Sequence, residues 1–321
     1  MKSTNLTDLK YDFEEKVTQH LIKVSDISIP ELLVYSKLSE HQLKHFYEPE
    51  AGIFIAESPN VILRALNAGY LPESMLVETG HIYGEAREAL EKAFEMTEGK
   101  DDFKIYTAET EVLMQITGYY MVRGLLAVMR RRETDSMEQI CRTSKRVAVL
   151  EHIVNPTNVG AILRNAAGLG MDGVLLTADC ADPLYRRAAR VSMGTVFQIP
   201  WAFFPEEKSF FAGQTSDQAQ HDDIDHHTIN HSSSVQLLKS YGFQIAAMAL
   251  EEDSIGIDSA LLKKVDRLAI VLGSEGPGLD RETIQSSDYV VKIPMYHDVD
   301  SLNVAAASAL AFWEISNRKA R

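Results

Sequence analysis

Three segments of the sequence gather residue types that can hold a ligand and stabilise charge, and each follows a run that reads as a β-strand. The first, NPTNVGAILRN at residues 155–165, sets Asn158, Gly160 and Arg164 along the opening of a predicted helix. Asn158 reads as its N-cap. Gly160 lets another backbone come close, and Arg164 offers the donor fork that binds a phosphate or a developing oxyanion. A plainer reading stands beside this one, with Asn155 and Asn158 as turn and cap residues and Arg164 as a surface charge.

The second segment is VLGSEGPGLD, residues 271–280. Gly273, Gly276 and Gly278 crowd a strand end and expose backbone N–H and C=O groups to a ligand. The pattern is neither GxxxxGK nor GxGxxG, so it does not describe a phosphate cradle. Glu275 in its middle would repel phosphate and suits a cationic or hydrogen-bonding ligand. The third segment is IPMYHDVDSLNVAAASALAFW, residues 293–313. A strand ends at Ile293-Pro294, and a helix is predicted from Ser301 as N-cap. Leu302, Ala305, Ala306, Ala309, Leu310 and Trp313 make one helical face, small enough for another element to approach closely. An ordinary buried helix accounts for the alanines but not for the whole SLN triplet at its start.

Residues of this kind need strand ends to hold them. From Lys145 onward strand and helix alternate, with strands RVAVLEHI, GVLLT, TVFQIP, FQIAAMAL, RLAIVLG and YVVKIP and a last helix from Leu302 to about Asn317. Such alternation predicts a parallel sheet covered on both faces, and ligands of open parallel sheets sit beyond the C-terminal strand ends. Residues 29–132 form a smaller α/β domain, with strands GIFIAE, MLVE, FKIY and GLLAVM. There Ser58 and Pro59 open a helix that Gly69 stops. Residues 1–28 read as an amphipathic helical extension through Phe13, Val17 and Leu21, and residues 133–144 as a polar linker. Residues 205–234 read as a polar insertion. Its His221, His226, His227 and His231 beside Asp222, Asp223 and Asp225 fit no defined zinc spacing, so a solvated surface loop is preferred to a metal site.

The 321 residues fit two domains, and 45% apolar content supplies a core for each. No run approaches a membrane span, and the start of the chain lacks the apolar core of a secretory signal. With only Cys141 and Cys180, neither a disulfide framework nor a metal knuckle is indicated, and a cytoplasmic protein is expected. A net charge of −14 gives no basic footprint for a nucleic acid. Basic residues do cluster, at Arg130, Arg131 and Arg132, at Arg142, Lys145 and Arg146, and at Arg186, Arg187 and Arg190. Solvated surface is the alternative reading of each cluster.

Taken in order and with their spacing, the three segments resemble the SpoU/TrmH family of SPOUT-class RNA methyltransferases. The likeness rests on Asn158, Gly160 and Arg164, on LGSEGPGL with Glu275, and on IPM followed by SLNVAAA with Ser301 and Asn303. The stretch RRAARVSMGTVFQIPW is similar to the family's middle segment, and the region from GIFIAE to GLLAVM resembles, more loosely, its L30-like substrate-binding domain. Pro277 stands where many relatives carry Arg or Gly, which removes one N–H donor.

The resemblance implies a parallel-sheet α/β domain with a C-terminal trefoil knot, an exception to the rule against knots. It implies S-adenosylmethionine bound in that knot, with Gly273, Ile293 and Leu302 lining the adenosine pocket and Leu272, Met295 and Ser301 nearby. It also implies a homodimer in which each active site is completed across the interface. Methyl transfer would go to a ribose 2′-hydroxyl, in ribosomal RNA rather than transfer RNA. Arg164 would act on that hydroxyl or its phosphate, and Asn158, Glu275, Ser301 and Asn303 would orient the site. Transfer RNA methylation and a non-catalytic module that binds RNA or cofactor are the alternatives. A dinucleotide-dependent oxidoreductase is disfavoured, because no strand–GxGxxG–helix unit is present.

Overall fold

The structure, a computed structural model, describes residues 13–15, 17–26, 28–97, 103–117, 124–205, 232–297 and 299–316. The His/Asp-rich cluster of the predicted insertion lies outside the described residues. The chain divides into two compact units, one of residues 1–133 with 184–198, the other of residues 134–183 with 199–321.

The first unit is built on a five-stranded mixed sheet of β1 (Leu21–Lys23), β2 (Ile53–Glu57), β3 (Pro72–Glu78), β4 (Lys104–Ala108) and β5 (Leu125–Arg130). The strand order is β1-β4-β3-β5-β2. Residues 13–15 and 17–20 are helical as predicted, but Leu21–Lys23 form a strand parallel to β4, so this segment is part of the sheet rather than an extension. Pairing covers the β4 edge, and Phe13 and Val17 are buried in the same unit, Phe13 edge-on to Phe94. Ser58 does precede the Pro59–Asn67 helix, yet its side chain makes no capping bond, because its φ of 86° takes it out of capping geometry. Gly69, at φ 85°, turns the chain after that helix.

Leu184–Gln198, expected in the second domain, clusters with the first. Two contacts show why. Arg186 Nε and Arg190 Nη1 lie 2.8 and 3.0 Å from the carboxylate of the buried Glu57 on β2, and Phe197 packs its ring against Phe54 and Tyr70. The predicted strand TVFQIP is a 3₁₀ turn at Thr195–Phe197 instead, entered through Gly194 at φ 80°.

The second unit carries seven strands, all parallel: β6 (Arg146–Leu150), β7 (Gly173–Leu176), β8 (Trp201–Phe203), β9 (Gln244–Met248), β10 (Ile255–Gly256), β11 (Leu268–Leu272) and β12 (Tyr289–Lys292). Their order is β10-β12-β9-β11-β6-β7-β8, which fits the knotted fold that the resemblance implies. The central strands β6, β7 and β11 are buried at every position, as expected where both faces are covered. Val147, Val149, Ala269, Val271, Ile245 and Ala247 alternate onto one face and pack with Ile140, Leu238 and Phe243. The predicted linker contributes to that core. Ser136 and Gln139 form a capping box that starts the Met137–Thr143 helix, and Met137, Ile140 and Cys141 are buried.

The Val304–Ile315 helix packs on the Pro156–Leu169 helix, where Asn165 Nδ2 donates to Ala305 O at 2.8 Å and to Ser308 Oγ at 2.9 Å. The buried face is Val304, Ser308, Ala311, Phe312 and Ile315. The face predicted from the alanines points the other way, with Leu310 46% and Trp313 58% exposed. Ser308 can turn inward because both its hydrogen-bond partners are supplied there, Asn165 as donor and Ala305 O as acceptor. Among the described residues, no helix is long and apolar enough to cross a membrane.

Candidate active site

Leu272 pairs with Leu150 in register, so Gly273 and Glu151 leave the sheet side by side, joined by Glu151 N–H to Leu272 O at 2.9 Å. Beyond the ends of β9, β11 and β12 lies a cavity of about 430 Å³. Leu272, Gly273, Ile293, Met295, Ser301 and Leu302 all line it, and Glu275 does too. Glu251, Glu275 and Asp300 give it three carboxylates against the single ammonium of Lys292, a lining that favours a cationic ligand. Gly273 is there for space. A Cβ on it would meet Gly278 C at 2.5 Å, Gly278 O at 2.6 Å and Leu279 N at 2.7 Å, all backbone atoms.

Asn303 joins the three segments. Its Oδ1 accepts from Ala305 N at 3.0 Å and so caps the last helix, while its Nδ2 donates to Asn158 Oδ1 at 3.3 Å and to the carboxylate of Glu275. This corrects two sequence expectations. Asn303 rather than Ser301 is the N-cap, and Ser301 is left exposed on the cavity rim. Likewise Asn155 caps the Pro156–Leu169 helix through Thr157 N at 2.9 Å, and Asn158 lies in its first turn, buried, with its side chain free to meet Asn303. The Pro156–Leu169 helix thus begins three residues before, and the last helix two residues after, the polar residue its sequence suggests, because competing asparagines stand nearby.

Arg164 is on the same helix as Asn158 but not in the cavity lining. Six residues at ~100° per residue place the two side chains ~120° apart around the helix. Arg164 is exposed, and among the described residues its guanidinium makes no hydrogen bond or ion pair. Other basic residues are engaged. Arg130 pairs with Glu73, Arg142 with Glu138, and Lys145 with Asp266. Arg146 is buried, its guanidinium donating to the carbonyls of Lys145, Val265, Asp266 and Ile315.

One cluster was not anticipated. At the end of β6, Glu151 accepts from Asp280 N at 2.8 Å and from Thr283 Oγ1 at 2.7 Å. The next residue, His152, holds Asp280 Oδ2 at 3.0 Å through Nε2 and contacts Asp179 through Nδ1. Burial pulls the imidazolium pKa down, but hydrogen bonds and attraction from Asp179 and Asp280 outweigh it, leaving the pKa above its ordinary 6.5. Glu151, His152 and Asp280 are close enough to share a cation, within 4.8 Å. Their polar atoms are, however, committed to protein partners, which makes them a hydrogen-bonded network. Asp280 and Thr283 stand 128 to 132 residues beyond His152 and Glu151, and the one hint in sequence is two ionisable residues closing a strand that is apolar from Val147 to Leu150.

A model of the SpoU rRNA Methylase family matches residues 145–313. An uncharacterized tRNA/rRNA methyltransferase of Mycobacterium bovis is 34% identical over 268 residues, 82% of this chain and 80% of that protein, and one from Mycobacterium tuberculosis matches equally. Among solved structures, an AdoMet-bound rRNA methyltransferase from Sinorhizobium meliloti superposes with a TM-score of 0.68 at 20% identity, over 92% of this chain and 97% of that one. An RNA 2′-O ribose methyltransferase does so with a TM-score of 0.68 at 21% identity, over 92% and 98%. The structural likeness shows the fold over nearly the whole chain. The family model over more than half of the sequence, with the one-third identity of the mycobacterial proteins, shows that the chain belongs to the SpoU rRNA Methylase family.

Proposed function

We propose that the chain is a homodimeric methyltransferase that moves the methyl of S-adenosylmethionine to a ribose 2′-hydroxyl of ribosomal RNA. The observation that carries this reading is the junction at Asn303, which ties Asn158 and Glu275 together at the rim of an acidic cavity. The cavity suits the cofactor in three respects: its volume, its excess of carboxylates for a sulfonium, and the backbone cradle at Gly273 that a Cβ would fill. Leu272, Gly273, Ile293, Met295, Ser301 and Leu302 would hold it.

When bound, S-adenosylmethionine supplies an electrophilic methyl for in-line displacement, a reaction in which positioning is the protein's main task. Asn158, Glu275, Ser301 and Asn303 fix the loops and the ribose. A guanidinium keeps its proton in proteins, so Arg164 binds the neighbouring phosphate and stabilises the developing alkoxide rather than acting as base. Since Arg164 does not line its own chain's cavity, its target is the cavity of a second subunit. The exposed Leu302, Leu310 and Trp313 offer an apolar face for that subunit. The unit of residues 1–133 and 184–198 selects the RNA.

The test is to map 2′-O-methyl positions in total RNA with and without the gene. Loss of a ribosomal position supports the proposal. Loss of a transfer RNA position corrects the substrate, and calorimetric binding of S-adenosylmethionine with no position lost anywhere makes the chain a binding module.

A further inference from the structure

We propose that His152 is a positioning residue of the cofactor site: its imidazole, bridging Asp179 and Asp280, clasps the end of the Gly273–Leu279 loop in the shape that admits S-adenosylmethionine, and the clasp holds only while the imidazole is protonated. The proposal rests on assigning the cavity to that cofactor.

Four observations carry it. First, the loop that lines the cavity has little regular structure of its own, a single Ser274–Gly278 bridge, so its shape depends on where it is anchored. Second, its anchor is Asp280, which stands at the N-cap of the Arg281–Ser286 helix but makes no side-chain capping bond. An aspartate there ordinarily accepts from the helix's own first turn, whereas this carboxylate takes its bond from His152 Nε2. Third, the other side of the ring is fixed as well. Asp179 meets Nδ1 and is itself held by Thr177 Oγ1 at 2.6 Å, on the loop after β7. Fourth, His152 has φ 58°, a left-handed conformation uncommon outside glycine, which is the kind of local strain that gathers at working sites.

Among the described residues, Asp179 and Asp280 face the ring, with the carboxylate of Glu151 close behind, and the neighbouring Cys180 thiol is neutral, burial pushing it up to about 11. The sign follows from this. An imidazolium donates from both nitrogens and satisfies both aspartates. A neutral ring donates from one only, so one carboxylate faces a lone pair and the clasp opens. Because the imidazole pKa is raised, the clasp is present below the ordinary value of 6.5 and is lost as pH rises through the folded-state value. Glu151 still holds Asp280 N and Thr283, so the loop loosens without unfolding.

The experiment is calorimetry of S-adenosylmethionine with the intact protein from about pH 6 to about pH 9, for the wild type, His152→Asn and Asp280→Asn, with thermal unfolding of each. Asparagine tolerates the left-handed backbone. The ligand's own amine titrates alike in all three, so the difference between profiles is the readout. The wild type should lose roughly tenfold more affinity across the range than either variant, and the variants should bind weakly already at the acid end. A His152→Asn profile parallel to that of the wild type, or one in which only thermal stability falls, overturns the proposal. A wild type that does not bind S-adenosylmethionine at any pH overturns the cavity assignment, and the proposal with it.

Discussion

Asn303 Nδ2 lies 3.3 Å from Asn158 Oδ1, a contact between residues 145 positions apart. The same side chain caps a helix with its oxygen and holds Glu275 with its nitrogen, so its two functions separate by substitution. Asn303→Asp keeps an N-cap acceptor of equal quality but loses the donor and sets a second carboxylate against Glu275. Thermal stability should stay close to wild type while S-adenosylmethionine affinity falls about tenfold or more. Asn303→Ala should add a loss of ~1 kcal/mol in stability from the missing cap. Denaturation curves beside calorimetry distinguish the two variants, and equal affinities for Asn303→Asp and wild type would show that the junction does not shape the cavity.

Gly273→Ala tests the cradle. The added methyl would sit 2.5 to 2.7 Å from backbone atoms of Gly278 and Leu279, which cannot rotate away as a side chain would. The loop must shift as a whole, by an amount that misplaces its N–H and C=O groups. Cofactor binding should weaken by at least about tenfold with only a modest stability loss, of order 1–3 kcal/mol, measured by the same pair of methods.

How much of this was legible in sequence follows the range of the interactions. Five of the six strands expected in the second unit stand where apolar runs placed them, because a strand buried on both faces announces itself locally. The six lining residues that the resemblance implies, Leu272, Gly273, Ile293, Met295, Ser301 and Leu302, also stand together, at the strand ends where loops of an open parallel sheet converge. What was missed depends on partners distant in sequence. The inward face of the last helix is set by Asn165 meeting Ser308, which turns a polar residue inside and leaves Leu310 out. The grouping of Leu184–Gln198 with the first unit depends on Glu57, 129 residues before Arg186. The same two contacts recast the Arg186 and Arg190 cluster, which reads in sequence as a basic patch and in the structure as counter-charge to a buried carboxylate.

Arg164 makes no hydrogen bond or ion pair among the described residues, and its proposed role separates from mere charge. Arg164→Ala should lower methyl transfer to undermethylated RNA by roughly a hundredfold or more while S-adenosylmethionine affinity is unchanged, since its proposed contacts are to the phosphate and 2′-oxygen of the RNA rather than to the cofactor. Arg164→Lys retains the positive charge without the planar fork and should recover only part of the rate. Full recovery by lysine would reduce the role to phosphate attraction. Turnover of the alanine variant within a few-fold of wild type would remove Arg164 from the chemistry.

The proposed completion of each site by a second subunit makes the most demanding prediction. Leu310 is 46% exposed on a helix whose opposite face is buried. Leu310→Glu should shift the protein toward monomer in sedimentation and cut methyl transfer, with cofactor binding retained. Mixing then tests the direction of the contribution. An Arg164→Ala chain keeps a sound cavity, and a Gly273→Ala chain keeps a sound arginine. If the arginine acts across a two-fold interface, each heterodimer contains one complete site out of two. Random assembly makes half of the dimers hetero, so at subsaturating S-adenosylmethionine, where each variant alone is at least about tenfold slower than wild type, the mixture should regain about one quarter of wild-type turnover. If the arginine serves its own chain's cavity, every site in the mixture carries one lesion, and no recovery is seen.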